Sequence, residues 1–177
     1  MRIKDIKDRI KEYFFLHPTV KLRVRQIERT VKVPLPSVIR YTKELTQEAI
    51  LKQSEVAQVK TYSADRISRT FLFEKKFFNI KQLFDVGLMD FIIQELSSPT
   101  IIVFGSYFRG EDVENSDIDL YVQTPTKKTL NLDRFEKKLQ RKIQLFVYKS
   151  IKDIGNKELA NTIVNGSILH GFLEVFT

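Results

Sequence analysis

The chain has 177 residues, of which 42% are hydrophobic and 29% are charged, and it contains no cysteine and two histidines. This composition excludes a disordered chain, a disulfide scaffold, thiol catalysis and a histidine-rich metal site. The formal net charge is +8, and residues 1–64 alone carry +7, with 14 Lys and Arg against 7 Asp and Glu. We therefore expect the N-terminal third to bind a polyanion, with a basic surface that serves only solubility as the alternative.

The sequence predicts a cytoplasmic protein with no membrane partner. The charged and amphipathic start, Met1 to Lys7, is unlike a secretory signal. No apolar run approaches the roughly 18 residues that a membrane span needs. The absence of cysteine fits a reducing compartment.

Residues 1–64 show the pattern of three helices followed by two strands. Helical spacing predicts the first helix, whose apolar positions are Ile3, Ile6, Ile10 and Phe14. Two prolines in Val33–Pro36 interrupt the chain, because proline lacks the N–H that a helix needs. The other predicted elements are a short helix over Leu22–Glu28, a third helix from Pro36 with Val38, Ile39, Leu45 and Ile50 as apolar positions, and strands over Ile50–Ser54 and Val56–Tyr62.

This order of elements resembles a winged helix-turn-helix domain from about Val20 to Ser63. The resemblance implies that the third helix enters the major groove of double-stranded DNA. The predicted DNA-contacting residues are Ser37, Arg40, Tyr41, Lys43, Lys52 and Lys60. Two alternatives stay open: the domain could bind protein, and Arg40 and Lys43, which share a helix face, could be a solvated surface.

Residues 65–98 are predicted as a helical connector with one interruption, placed at Gly87. The dense apolar stripe predicted for it consists of Phe71, Leu72, Lys75, Phe78, Leu83, Phe84, Leu88, Phe91, Ile92 and Leu96. This stripe predicts either a helix packed on both domains or the seam of a homodimer.

The next segment carries the candidate chemistry. An apolar strand, Thr100–Phe104, leads into Gly105-Ser106, and a second strand then carries Asp117 and Asp119. Because side chains alternate along a strand, the two carboxylates share a face about 7 Å apart and repel each other when ionised. Such a pair predicts Mg²⁺ or Mn²⁺ that is also held by substrate phosphates. The Gly-Ser turn offers backbone N–H groups and a hydroxyl to a phosphate.

These residues resemble the signature of polymerase-beta-like nucleotidyltransferases, in particular the minimal type of prokaryotes. The matching residues are Gly105, Ser106, Tyr107, Phe108, Arg109 and Gly110, then Ser116, Asp117, Ile118, Asp119 and Leu120. In that family the Gly-Ser turn holds the phosphates of the NTP, and the aspartates hold metal ions for in-line attack on the α-phosphate. Relatives of the minimal type often work beside a HEPN-class partner in toxin–antitoxin pairs, so the resemblance implies such a partner.

Two further residues are predicted to bind the nucleotide. A guanidinium at Arg109 matches phosphate geometry, with an ion pair to Glu111 or Asp112 as the alternative. Ser116 is the second, and its alternative role is to cap its own turn.

One residue departs from the family pattern, which has a third carboxylate on the strand predicted over Ile143–Tyr148. The matching position is Gln144, whose amide cannot accept a proton. Either two aspartates suffice for metal and nucleotide binding while chemistry is slow, or Asp153 or Glu158 fills the role. General-base help contributes typically 10²–10⁴-fold, so its loss predicts a weak enzyme.

The sequence thus predicts an α+β protein with a winged helix-turn-helix domain over residues 1–64, a helical connector over 65–98 and a small mixed-sheet nucleotidyltransferase domain over 99–177. The predicted reaction transfers a nucleoside monophosphate from an NTP, such as ATP, to a protein or nucleic-acid acceptor. The alternative is a DNA-binding regulator whose nucleotidyltransferase module senses nucleotides or docks a partner.

Overall fold

The computed structural model of the chain describes residues 5–174, so the predicted helix position Ile3 and the ends of the two predicted domains lie outside it. The chain divides into two compact units, Met1–Phe78 and Asn79–Thr177. The division falls inside the segment predicted as the connector. Helices and strands are mixed in both units, which confirms the α+β class.

The first unit contains helices and a small antiparallel sheet. Its elements are α1 (Ile6–Leu16), β1 (Lys21–Leu22), α2 (Val24–Val31), α3 (Leu35–Gln47), β2 (Leu51–Val56), β3 (Val59–Ala64) and the start of α4 (Arg69–Asp85). The sheet has the order β1-β3-β2, with both pairings antiparallel. The third helix begins one residue before the predicted Pro36, since proline is tolerated in a first helical turn.

The core of the first unit gathers the apolar faces of these elements. Fully buried members are Ile10, Phe14, Ile27, Val38, Leu45 and Ile50. Ile39 was predicted as an apolar core position of α3, but the prediction is wrong because its side chain is 55% exposed. Position 39 adjoins the buried Val38 but lies one helical step, about 100°, away from it. Thr42 is buried on the same helix, and its hydroxyl group donates a hydrogen bond to the Val38 carbonyl at 2.8 Å.

The hairpin differs from the predicted strands by a few residues. Its strands are β2 and β3, joined by a two-residue turn at Ala57 and Gln58. Both turn residues have positive φ, 50° and 63°. Two-residue turns of this kind match the twist of the strands, and they commonly contain Asn and Gly. Because Ala57 and Gln58 are neither, their residue types did not indicate a turn.

The predicted connector forms α4 and α5 (Leu88–Glu95), with the interruption at Gly87 confirmed by its φ of +79°. One member of the predicted apolar stripe, Phe84, is 47% exposed. Phe73 and Phe77 are also exposed and contact each other edge to face. Spacing alone predicted a stripe here, but α4 has aromatic residues on its exposed side as well.

The second unit is a mixed sheet with helices on both faces. Its further elements are β4 (Thr100–Phe104), α6 (Gly105–Arg109), β5 (Ile118–Gln123), α7 (Asp133–Leu139), β6 (Ile143–Tyr148), a 3₁₀ turn (Ile151–Asp153), α8 (Lys157–Val164) and β7 (Ser167–His170). The strand order is β6-β5-β4-β7. Strand β5 runs antiparallel to β4 and parallel to β6.

Alternation along β4 and β5 gives this sheet two buried faces. On one face, Val103, Leu120 and Val122 pack in the larger core with residues of α5 and α7. On the other face, Ile102, Phe104 and Tyr121 pack with residues of the 3₁₀ turn and α8. Because both faces of the sheet are buried, both strands are continuous apolar runs in the sequence.

Across residues 5–174, we find no helix with the length and apolar character that crossing a membrane requires.

Candidate nucleotide site

The site begins where the buried strand β4 gives way to the short helix α6. Gly105 is the first residue of α6, with φ of +73°, a conformation that favours glycine. A Cβ added to Gly105 would lie 2.3 Å from Oδ2 of Asp119. The backbone of the Gly-Ser segment therefore lies directly against that carboxylate, and only glycine allows this approach.

Asp119 is held by the central strand of the sheet. It is paired with Phe104 on β4 and with Gln144 on β6, and it is partly buried. Asp117 was predicted to lie in the same strand, but β5 begins at Ile118, so Asp117 precedes the strand and is exposed. The two carboxylates thus differ in environment.

The pKa of Asp119 shows that the two carboxylates interact. Burial raises this pKa above its ordinary value, the charge of Asp117 raises it further, and Arg109 acts in the opposite direction. A carboxylate that is both desolvated and beside a like charge is stabilised by a cation. The pair therefore has the electrostatics of a cation site.

The register of the parallel strands places Gln144 beside Asp119. That Gln144 occupies the position of the family's third carboxylate stays a prediction. Asp153 instead accepts the Ser150 N–H at 3.0 Å and caps the 3₁₀ turn, and Glu158 lies in the first turn of α8. Within the described part of the chain, no three His, Cys, Asp or Glu side chains are grouped to hold a metal ion.

The alternative roles predicted for Arg109 and Ser116 both occur. The Arg109 Nε lies 2.7 Å from Oε2 of Glu111, and both side chains are about half exposed. The Ser116 hydroxyl accepts the Val113 N–H at 2.9 Å and closes its own turn. Because an exposed ion pair contributes little stability, Arg109 can exchange Glu111 for a phosphate at small cost.

A buried polar group, not predicted from the sequence, fixes α6 to α4. Nδ2 of Asn79 donates to the Tyr107 carbonyl at 2.8 Å and to Oδ1 of Asp112 at 2.7 Å. The Tyr107 hydroxyl donates back to the Asn79 carbonyl at 3.1 Å. Burial is the main reason that the pKa of Tyr107 lies well above its ordinary value, so its hydroxyl stays protonated as a donor.

The sequence did hold one signal for this polar group. Asn79 belongs to a series of buried positions on α4, each four residues after the one before: Phe71, Lys75, Asn79 and Leu83. A polar amide at a core position of a helix predicts a hydrogen-bonded partner, although not which one.

Two grooves flank the Gly-Ser segment and Asp117. One is lined by Gly105, Phe108, Arg109, Asn161, Thr162 and Asn165. The other lies beside Asp117 and includes Asp133, Glu136, Lys137, Arg141 and Lys142. In the second groove Lys142 pairs with Glu136 at 2.6 Å, so that lysine is balanced by its neighbour.

The candidate DNA-contacting residues are all in the first unit. Arg40 is exposed, pairs with Glu44 at 2.8 Å and lies over the Tyr41 ring at 5.2 Å. Ser37 is partly exposed and Lys43 exposed on the same helix, whereas Lys52 and Lys60 are exposed on β2 and β3.

Comparison with known proteins gives a match to a family model. Residues 89–170 match the family model described as a nucleotidyltransferase domain. No curated protein and no solved structure gives a match. The matched segment contains Gly105, Ser106, Asp117 and Asp119, so the family match supports nucleotidyl transfer as the chemistry of the second unit.

Proposed function

We propose that the protein transfers a nucleoside monophosphate from an NTP to a hydroxyl of a protein or nucleic-acid acceptor and releases pyrophosphate. The observation that supports this most directly is the approach of the Gly105 backbone to the Asp119 carboxylate. In this proposal, the backbone segment that binds phosphate is adjacent to a carboxylate that favours a cation. In-line transfer needs this combination, because catalysis of phosphoryl transfer is mostly positioning and charge neutralisation.

The residues present fit a divalent cation. Asp117 and Asp119 offer hard oxygen ligands, and the raised pKa of Asp119 reflects a site where a positive charge is favourable. They would hold Mg²⁺ or Mn²⁺, with other ligands from phosphate and water. When bound, the ion would neutralise charge that develops on the phosphates.

The chain's own residues have distinct roles in this proposal. The N–H groups of Gly105 and Ser106 bind the β- and γ-phosphates, and Arg109 turns from Glu111 to the triphosphate. Ser116 holds the loop before Asp117 through its bond to Val113. The Asn79 bonds keep α6 in place, so that these donors need no rearrangement during the reaction.

The first unit is proposed to be a winged helix that binds double-stranded DNA through Ser37, Arg40, Tyr41, Lys43, Lys52 and Lys60. The order of three helices and a hairpin supports this fold, and the +7 charge of residues 1–64 supports a polyanion. We also propose a cytoplasmic protein that acts beside a HEPN-class partner in a toxin–antitoxin pair, and a homodimer.

Gln144 favours a second candidate function. With an amide beside Asp119, the site has no third carboxylate among residues 5–174. The module would then bind nucleotide with little turnover and act as a sensor or docking platform in a DNA-binding regulator.

Calorimetric titration of Mg·ATP, and then of the other NTPs, tests the nucleotide site. We expect metal-dependent binding to the wild-type chain and its loss in Asp119→Asn. The matched control is Asp90→Asn, which changes an exposed aspartate in the first turn of α5 and should bind as wild type does. If no nucleotide binds to the wild type, the site is degenerate and the regulator becomes the better account.

A substitution at Gln144 separates the two candidates once binding is established. Gln144→Glu places a carboxylate beside Asp119 and should raise pyrophosphate release roughly 10²-fold, the lower end of general-base effects. Gln144→Ala is the control and should give no increase. Equal rates in both variants would show that position 144 does not limit turnover.

A further inference from the structure

A basic groove in the first unit was not predicted from the sequence. It lies between α2 and the tip of the β2–β3 hairpin. Its lining residues are Arg23, Val24, Arg25, Gln26, Arg29, Gln58, Val59 and Lys60. Arg25 and Arg29 are four residues apart on α2, so they share one helix face, and both are exposed. Of the predicted DNA-contacting residues, only Lys60 belongs to this groove.

The arginines of this groove differ in their partners from three other cations of the unit, Lys7, Lys11 and Arg40. Lys7 pairs with Glu44 and Glu48, and Lys11 pairs with Glu74. Arg40 likewise pairs with Glu44. By contrast, Arg23, Arg25 and Arg29 form no ion pair with any acidic side chain of residues 5–174. Their charge is therefore available to an external anion.

The sheet edge in the groove adds further polar groups. β1 pairs with β3 only at Tyr62 and Ser63. The stretch Val59–Thr61 therefore has no described strand on that side. Because β3 also pairs with β2, only alternate residues of this stretch turn their backbone N–H to the open edge. Such N–H groups and arginine side chains are donors that contact nucleic-acid phosphates.

We infer that the α2–hairpin groove, defined by Arg23, Arg25, Arg29 and Lys60, binds the phosphate backbone of double-stranded DNA. The inference rests on the proposed DNA binding and deepens it. The groove adds phosphate contacts from α2 and the hairpin tip to the contact proposed for Arg40 on α3, which pairs with Glu44 and lies over the Tyr41 ring. Guanidinium groups suit this role because their planar N–H pairs match phosphate oxygens.

The test is fluorescence anisotropy of the full chain with a labelled DNA duplex at several salt concentrations. Arg25→Gln/Arg29→Gln removes two charges from the groove. We expect its affinity at 0.1 M salt to fall about tenfold or more, and the slope of log K against log salt to fall by about 1.8, the value for two phosphate contacts. The control is Lys127→Gln/Lys128→Gln, which removes two charges from a loop of the second unit and should leave the slope unchanged.

The possible failures are distinguishable. If the wild type binds no duplex even at low salt, the proposed DNA binding is itself overturned. If the wild type binds and the arginine variant keeps its affinity and slope, only the groove assignment is overturned. Tighter binding to a single strand of the same length would overturn double-stranded DNA as the ligand.

Discussion

At the scale of single residues, the close approach of Gly105 to Asp119 defines the candidate site. Two independent constraints meet at this glycine: a positive φ, and less space than a Cβ needs. Either constraint alone occurs in many turns. Together they mean that the backbone N–H groups proposed to bind phosphate and the carboxylate proposed to bind a metal can be adjacent only if position 105 has no side chain.

Gly105→Ala should therefore abolish Mg·ATP binding, because its Cβ would push the Asp119 carboxylate away. We expect an additional loss of about 1–2 kcal/mol in the free energy of unfolding from the positive φ. Gly87→Ala is a matched control: its φ is also positive, but its Cβ would have no atom within 4 Å. It should show the stability loss alone. Wild-type nucleotide affinity in Gly105→Ala would contradict the proposed site.

Asp119→Asn should stabilise the protein without ligand at neutral pH. Since the pKa of Asp119 is raised in the folded state, the folded chain binds a proton at this group more tightly than the unfolded chain does. Ionised Asp119 therefore lowers the free energy of unfolding at pH 8. This cost disappears as the pH falls from above the raised pKa of the folded chain to below the ordinary pKa of the unfolded chain. We expect a Tm about 1–3 °C above wild type at pH 8.

Thermal scans of both proteins at several pH values check this expectation. The difference in Tm should vanish near pH 3, where the carboxyl is protonated in the folded and unfolded chains alike. A lower Tm for Asp119→Asn at pH 8 would mean that the ionised carboxylate is stabilised by groups of the protein itself.

At the scale of elements, α6 is too short to hold its own position. It has five residues, and an isolated helix of that length is unstable. Its position comes from the reciprocal hydrogen bonds between Asn79 on α4 and Tyr107, and from the bond that continues to Asp112. The geometry of the site thus depends on a residue 26 positions before the Gly-Ser segment.

Asn79→Leu tests this support. It removes the donor shared by the Tyr107 carbonyl and Asp112, and we expect a loss of about 2–4 kcal/mol in urea unfolding, since one acceptor is charged. Tyr107→Phe deletes only the neutral hydroxyl bond and should cost about 1 kcal/mol. If the two variants lose the same stability, the amide of Asn79 is not the main support of α6.

At the scale of the whole molecule, each of the two units has a core of its own. Leu45 is fully buried in the core of the first unit and Leu120 in that of the second. The basic charge is concentrated in residues 1–64, and the candidate nucleotide site lies in the second unit. The proposed polyanion binding and the proposed nucleotide chemistry therefore belong to different cores.

Separate cores predict separable stabilities. Leu45→Ala and Leu120→Ala should each destabilise their own unit by about 2–5 kcal/mol. In urea, we expect Leu45→Ala to weaken DNA binding first and Leu120→Ala to weaken nucleotide binding first. Denaturation followed by the two binding assays measures both. Simultaneous loss of both activities in either variant would show that the units unfold as one.

Local sequence patterns predicted many of the helices and strands and the motif of the candidate site. The apolar runs predicted β4 and β6, the break at Gly87 was found where expected, and the motif from Gly105 to Asp119 was recognisable because its residues are close in sequence. Errors occurred where neighbours in sequence lie on different faces, as at Ile39, or where turn residues are atypical, as at Ala57 and Gln58.

The sequence by itself determined the charge asymmetry, the residue types of the candidate site and most of the elements, but not β1, α6 or β7. Only the tertiary structure decided that Gln144 stands beside Asp119, that Asn79 supports α6, and that three arginines line a groove with Lys60. The physical reason is that hydrophobic periodicity reports which face of an element is buried. Contacts between residues tens of positions apart depend on strand register and helix packing, which leave no local pattern in the chain.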